Sequence, residues 1–233
     1  HHVRAFGADF DLMIQRQRVT SLVYKAFGQS FSKEDKKLLG VPFAQFLKLN
    51  SEFRYHYRID KNQMIASRIA GGVIWSYGNA TTAPYTEQFY IGGANSIRAY
   101  SARSIGPGGY PPDKGKKYSY SNHVGDVRME ANVEYRFRIL GDLHGAIFLD
   151  AGNVWLMRKD KDRPDGQLTL KNFPKQVALG TGAGLRYDLD FLVFRFDWGV
   201  ALHDPYDTGK KGYYNIPKFK DGMAWHFAIG YPF

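Results

Sequence analysis

The chain has 233 residues and no cysteine, which excludes a disulfide framework and any thiolate metal site. It also lacks a long apolar run. No stretch approaches the ~20 residues that a helix needs to cross a bilayer, and mean hydropathy is −0.41. A helical membrane protein is thereby excluded. A membrane β-barrel is not, because its spanning strands are only half apolar. The histidines (His1, His2, His56, His123, His144, His203 and His226) show no metal-ligand spacing, so no metal and no cofactor is expected. There is no nucleophile elbow for acyl transfer. Gly180-Thr181-Gly182-Ala183-Gly184 lies in a strand pattern with no helix behind it, which is not a phosphate loop. The pattern implies a protein that is not an enzyme.

The formal net charge is +10. Solvated loops account for it first, and attraction to phosphate-bearing lipids is the second reading. No recognisable nucleic-acid module accompanies the basic loops, so no nucleic-acid partner is expected. No leader is visible. The chain opens on His1-His2-Val3 as if inside an element, which reads as a fragment or processed product.

What is abundant is two-residue alternation. Leu47, Leu49, Phe53, Tyr55, Tyr57 and Ile59 share one face of a strand over 46–60, and Lys48, Asn50, Glu52, Arg54, His56 and Arg58 the other. A tight turn at Asp60-Lys61-Asn62 leads into a return strand over 63–77. Further strands are predicted over 124–139, 143–156, 177–189, 192–202 and the final segment, with a weaker one over 3–17. Residues 18–40 have helical spacing at Val19, Leu22, Val23 and Ala26, and Ser32 stands where it would cap a second short helix.

Alternation alone does not separate a soluble sandwich from a membrane barrel. Three features do. The predicted strands run to about 11–16 residues, where soluble strands average ~5–6 and spanning strands need ~9–11. Short turns (60–62, 140–142, 190) alternate with long loops (78–123, 157–175, 203–221), as in a barrel with short periplasmic turns and long outer loops. Aromatics, including Trp75, Tyr135, Trp155, Tyr187, Trp198 and Trp225, cluster near strand ends like interfacial girdles. The charged face then looks into a lumen. The fold class is all-β, a transmembrane antiparallel β-barrel.

The loop 78–123 is too long and irregular to be a simple connection. Within it, Gly92-Gly93-Ala94-Asn95-Ser96-Ile97-Arg98-Ala99-Tyr100 resembles the signature loop of the BamA/TamA outer-membrane superfamily, roughly Gly-Gly, a few residues, then Val/Ile-Arg-Gly-Phe/Tyr. Phe148-Leu149-Asp150-Ala151-Gly152 is similar to that family's Phe-x-Asp-x-Gly strand. The aromatic terminal segment Trp225, Phe227, Tyr231 and Phe233 resembles its C-terminal signal. Gly40–Phe46 and Gly106-Pro107-Gly108 look like versions from Bacteroidetes-type members. Ala99 is the departure, standing where the family usually has Gly. If that position needs φ > 0, alanine is strained there.

The resemblance implies that residues 1–233 are the C-terminal eight strands of a sixteen-stranded barrel, with 78–123 an extracellular loop that plugs the lumen. An ordinary exposed arginine is the plain reading of Arg98. The resemblance makes it a lock onto lumenal carboxylates, with Asp150 as first partner and Glu130 and Glu134 as alternatives. Trp225, Phe227, Ile229, Tyr231 and Phe233 are expected on one outward face. Implied function is insertion and assembly of outer-membrane proteins in the Gram-negative outer membrane, through a lateral seam and without covalent chemistry. Implied partners are outer-membrane lipids and lipopolysaccharide, unfolded outer-membrane protein clients, and a missing N-terminal half-barrel with its POTRA region or another chain. A two-partner-type secretion pore and a barrel anchor for an upstream enzyme domain are the alternatives.

Overall fold

In the computed structural model the described residues are 6–17, 37–38, 41–42, 45–77, 82–112, 122–189 and 191–233. Ten strands follow in chain order: β1 (Phe6–Gln17), β2 (Lys37–Leu38), β3 (Val41–Pro42), β4 (Gln45–Arg58), β5 (Gln63–Tyr77), β6 (Val127–Leu140), β7 (Leu143–Trp155), β8 (Ala178–Asp188), β9 (Val193–His203) and β10 (Met223–Ile229). Eight form one antiparallel sheet in the order β1-β4-β5-β6-β7-β8-β9-β10, and β2 and β3 make a separate two-stranded ladder. The helical turns expected over 18–36 lie outside the described residues. Lys37 and Leu38, expected to continue them, are strand.

Every neighbour in the large sheet is also the next long strand in the chain. Turns at 59–62 and 141–142 and the short connection from β8 to β9 close one end, and the long connections all leave from the other. Among the described residues β1 pairs only with β4 and β10 only with β9. The sheet is therefore open, with these two strands as its edges.

The two faces invert the rule for soluble proteins. Arg68, Glu130, Asn132, Glu134, Arg136, Asp150, Arg186, Arg195 and Asp197 are buried. Leu49, Phe53, Ile69, Met129, Val133, Ile147, Leu149 and Phe227 are exposed. Burying that much charge is costly unless each group is paired, and exposing that many large apolar side chains to water is equally unfavourable. Both are resolved when the outer face meets lipid and the inner face meets protein. β4 to β9 have 11 to 15 residues each, long enough to span.

Three expectations fail here. Trp155 is not part of an outer girdle. It is wholly buried, stacked on Phe173 at 5.3 Å, with its indole N–H donating to Gln176 Oε1 at 3.1 Å. A large ring with one donor is served better by that packed site under the loop 157–177 than by a lipid face. Secondly, the outward aromatic row stops before Phe233. β10 ends at Ile229, Gly230 adopts φ +84°, and the following residues turn inward, leaving Phe233 only 9% exposed. A positive φ is accessible to glycine without strain, and two-residue alternation ceases to apply beyond it. Tyr231, still partly exposed, lies with Arg136 at 4.6 Å rather than extending the girdle. Thirdly, Arg138 lies on the charged face of the strand predicted over 124–139, which is expected to look into the lumen, but it is exposed at the turn, its Nε donating to Gly141 O.

Candidate functional site

The described part of the long loop folds over the inner face. Gly92 and Gly93 have φ near +90° and open a compact tip. A Cβ on Gly92 would lie 2.2 Å from Ser101 O, so only glycine lets the two limbs approach. Gly93 N–H donates to Tyr100 O at 2.7 Å and Arg103 N–H to Ile91 O at 2.9 Å, which closes the base of the tip. Ile91, Ile97, Ala99 and Tyr100 join the buried cluster with Phe46, Ile74 and Val154 from the sheet. Apolar anchoring thus brings the tip down, and polar contacts fix its position.

Arg98 has no exposed surface. Its Nε and Nη2 donate to Asp150 Oδ2 and Oδ1, each at 2.8 Å, and its backbone N–H donates to Oδ2 at 3.0 Å. Nη1 donates to Glu134 Oε2. The guanidinium lies 3.6 Å from the ring centroid of Phe148, two residues before Asp150 on β7, and 5.9 Å from that of Phe233. A planar fork matched to a carboxylate and held between rings is a use of arginine that lysine does not reproduce. Burial by itself would lower the Arg98 pKa. The hydrogen bond and charge of Asp150, with those of Glu134, outweigh it and raise the pKa above its ordinary value, so the group stays charged.

Glu130 is not a partner of Arg98. It pairs with Arg68 Nη2 at 2.8 Å and accepts from Ser96 Oγ at 2.8 Å. Alternation puts Glu130 and Glu134 on the same face. Only the docked height of the loop decides that Arg98 meets the second and Ser96 the first.

Several residues that motif reasoning did not single out hold the same tip. Arg68 donates to Asn95 O at 3.0 Å, and Asn132 Nδ2 donates to Ser96 O at 2.9 Å and to Asp150 Oδ1 at 2.8 Å. Arg195 Nη2 donates to Asn95 Oδ1. The ion pairs run on from Glu134 to Arg136 at 2.7 Å and Arg186 at 3.2 Å, from Arg186 to Asp197 at 2.6 Å, and from Asp197 to Arg195 at 3.4 Å. The network begins at Arg98 and returns to the tip at Asn95. The sheet residues among them sit on the inward register of the alternation, which puts Arg136, Arg186, Arg195 and Asp197 on the lumenal face from the sequence but does not say what they meet.

Ala99 does not have positive φ; the only non-glycine residues that do are Arg103 and Asp165 among those described. The expected strain is absent. The cost of its methyl group is met across the gap, where a Cβ on Gly180 would lie 2.2 Å from Ala99 Cβ. Gly182 and Gly184 face Phe148 and the Arg186–Asp197 pair in the same close way. The glycine row therefore makes room for the loop and its network. Tyr100 OH donates to His203 O at 2.6 Å, and burial, with the nearby Asp204 carboxylate, raises its pKa well above the ordinary value. It serves as a neutral donor, not as an acid. Among the described residues no group of three or more histidine and acidic side chains is arranged to hold a metal.

Comparison with known proteins adds a family. The Omp85 superfamily domain matches residues 26–233. The outer membrane protein assembly factor BamA of Nitratidesulfovibrio vulgaris is 27% identical over 184 residues, 78% of this chain and 20% of that protein. BamA of Neisseria meningitidis serogroup B is 33% identical over 89 residues, 36% of this chain and 11% of that protein. The crystal structure of BamA from Haemophilus ducreyi lacking POTRA domains 1-3 is similar with a TM-score of 0.55 at 16% identity, over 79% of this chain and 35% of that chain. At that identity the likeness is one of fold. The chain spans no more than 20% of the length of the curated relatives it matches.

Proposed function

The chain belongs to the Omp85 superfamily, and we propose that it is the C-terminal half of the barrel of a factor that inserts and assembles outer-membrane proteins. Its place is the outer membrane of a Gram-negative bacterium. The observation that carries the reading is the fully buried Arg98 fork on Asp150 and Glu134, which locks an irregular loop to the inner wall of an Omp85 sheet whose two edge strands have one neighbour each among the described residues. A lock of this kind shapes and holds a wall. It transfers no group and needs no cofactor.

The long connections face the cell exterior, with 78–123 as the plug, and the short turns face the periplasm. The remaining strands, about as many again to make sixteen, come from an upstream half-barrel or another chain, because a lumen closed by eight strands alone is filled by side chains and leaves no room for the loop. β10 forms one side of a lateral seam, where an incoming client strand pairs with the exposed backbone. The further partners are lipids, lipopolysaccharide and an upstream POTRA region.

The test is reconstitution of the full-length protein in vesicles with a urea-unfolded outer-membrane protein. Client folding is read as heat-modifiable gel mobility. The wild type is expected to accelerate folding and Arg98→Ala to lose most of the acceleration. Equal rates for wild type and empty vesicles would overturn the assembly reading. If deletion of 92–110 instead opens a large steady conductance while client folding is absent, the secretion-pore alternative replaces it.

A further inference from the structure

The side chain of Arg98 points to β6 and β7, but its backbone points the other way. Its carbonyl oxygen accepts a hydrogen bond from His226 Nε2 at 3.0 Å, and His226 lies in the middle of the edge strand β10. The route between them crosses β9 at Gly199, where a Cβ would stand 2.1 Å from Arg98 O. Any side chain there would push the carbonyl off the sheet and out of reach of His226. Beyond β10, Phe233 returns to the same place. Its ring centroid is 5.4 Å from the Arg68 guanidinium, 5.6 Å from that of Arg136 and 5.9 Å from that of Arg98, and its carbonyl accepts from Arg136 Nη2 at 3.1 Å. Each of the three guanidinium groups lies within cation–π reach of that ring.

β10 needs such support more than any other strand of the barrel sheet. It has 7 residues, its register runs only from Met223–Val200 to Ile229–Phe194, and among the described residues it is paired on one side. A short strand with a single neighbour belongs to the low-stability end of a fold.

We infer that the loop tip and the edge strand form one mechanical unit, with His226 and Phe233 as the positioning residues that fasten β10 to Arg98. Loosening the tip therefore loosens the edge, and displacing the edge pulls on the tip. This rests on the assembly reading only for its use, since a seam that opens at β10 would be gated by the loop. The coupling itself is a property of the folded chain.

The experiment is hydrogen–deuterium exchange on the full-length protein in detergent micelles, without a client. His226→Phe removes the donor and keeps the bulk, Phe233→Leu keeps an apolar side chain and removes the π face, and Arg98→Lys keeps the charge and removes the fork. His226→Phe is expected to raise exchange about tenfold, the worth of one buried hydrogen bond, both over 223–229 and over 96–100. Arg98→Lys is expected to raise exchange over 223–229 as well as in the loop, and Phe233→Leu to give a smaller rise in both. Strand β4 serves as the reference. Loosening of the loop in Arg98→Lys with 223–229 unchanged overturns the inference, as does loosening of 223–229 in His226→Phe with 96–100 unchanged, or no change in either variant. If coupling is seen and client folding is not accelerated, the assembly reading alone falls. If client folding depends on Arg98 and coupling is absent, only this inference falls.

Discussion

Arg98 and Arg103 belong to one loop, and they meet opposite fates. Arg98 is sunk beneath the tip with each guanidinium nitrogen on a carboxylate. Arg103 sits on the loop's shoulder at φ +59°, with its guanidinium 4.3 Å from the Tyr90 ring and 4.9 Å from the Tyr85 ring, and Nη1 donating to Tyr85 OH. The difference lies in the neighbours that the sheet offers, not in residue type or in local composition. Beneath Arg98 are two strands, β6 and β7, whose inward registers bring Glu134 and Asp150 to one height. Beside Arg103 stand Tyr85 and Tyr90 of its own loop. An arginine is fixed by a rigid carboxylate wall and merely shielded by tyrosines.

The comparison predicts a graded series of losses. Arg98→Ala is the largest: it leaves Asp150 without its fork and buried, a loss of roughly 3–5 kcal/mol for breaking one side of a buried pair. The expected result is rapid protease cleavage of 92–104 and a lower unfolding midpoint in urea. Cleavage at the wild-type rate would show that the wall does not hold the loop. Next comes Gly180→Ala. Its new methyl meets Ala99 Cβ, and overpacking of that kind costs about 1–3 kcal/mol. Ala99→Gly in the same chain is expected to restore most of the loss, measured as a double-mutant cycle. Absence of rescue would mean that the alanine and the glycine are not paired.

Ser96→Ala deletes the hydroxyl that links Gly92 N–H to Glu130. Glu130 keeps Arg68, so the expected loss is only about 1 kcal/mol, read as a small rise in amide exchange over 92–96. Arg103→Ala comes last, at no more than roughly 0.5–1 kcal/mol for a partly exposed cation–π contact. Loop proteolysis should be unchanged within error. A loss in Arg103→Ala equal to that of Arg98→Ala would erase the contrast between the two positions.

Much of this fold was legible because alternation has a period of two and a membrane sheet obeys it over long strands. The return strand 63–77 and the inward placement of Phe148, Asp150 and Gly152 follow from that period. Legibility fails where backbone geometry leaves the period. Gly230 turns the chain, and Phe233 moves from an expected outer face to the inner network. It also fails where a loop covers a strand end, as Trp155 shows. For the site, a motif pointed to Arg98, but nothing local distinguishes Glu134 from Glu130. Their separation depends on how deeply the loop docks, which is set by Ile97 and Ala99 against distant glycines.

The sequence by itself determined which residues face inward, where the chain reverses, and that one irregular loop carries an arginine. These are consequences of local periodicity and of glycine and turn chemistry. Only the tertiary structure decided which carboxylates the arginine meets, that Asn95 and Ser96 are gripped beside it, and that His226 and Phe233 reach the same tip from the edge strand. Those contacts join residues far apart in the chain, and hydrogen bonds and ion pairs are decided over a few ångströms. No pattern of period two carries information at that scale between strands.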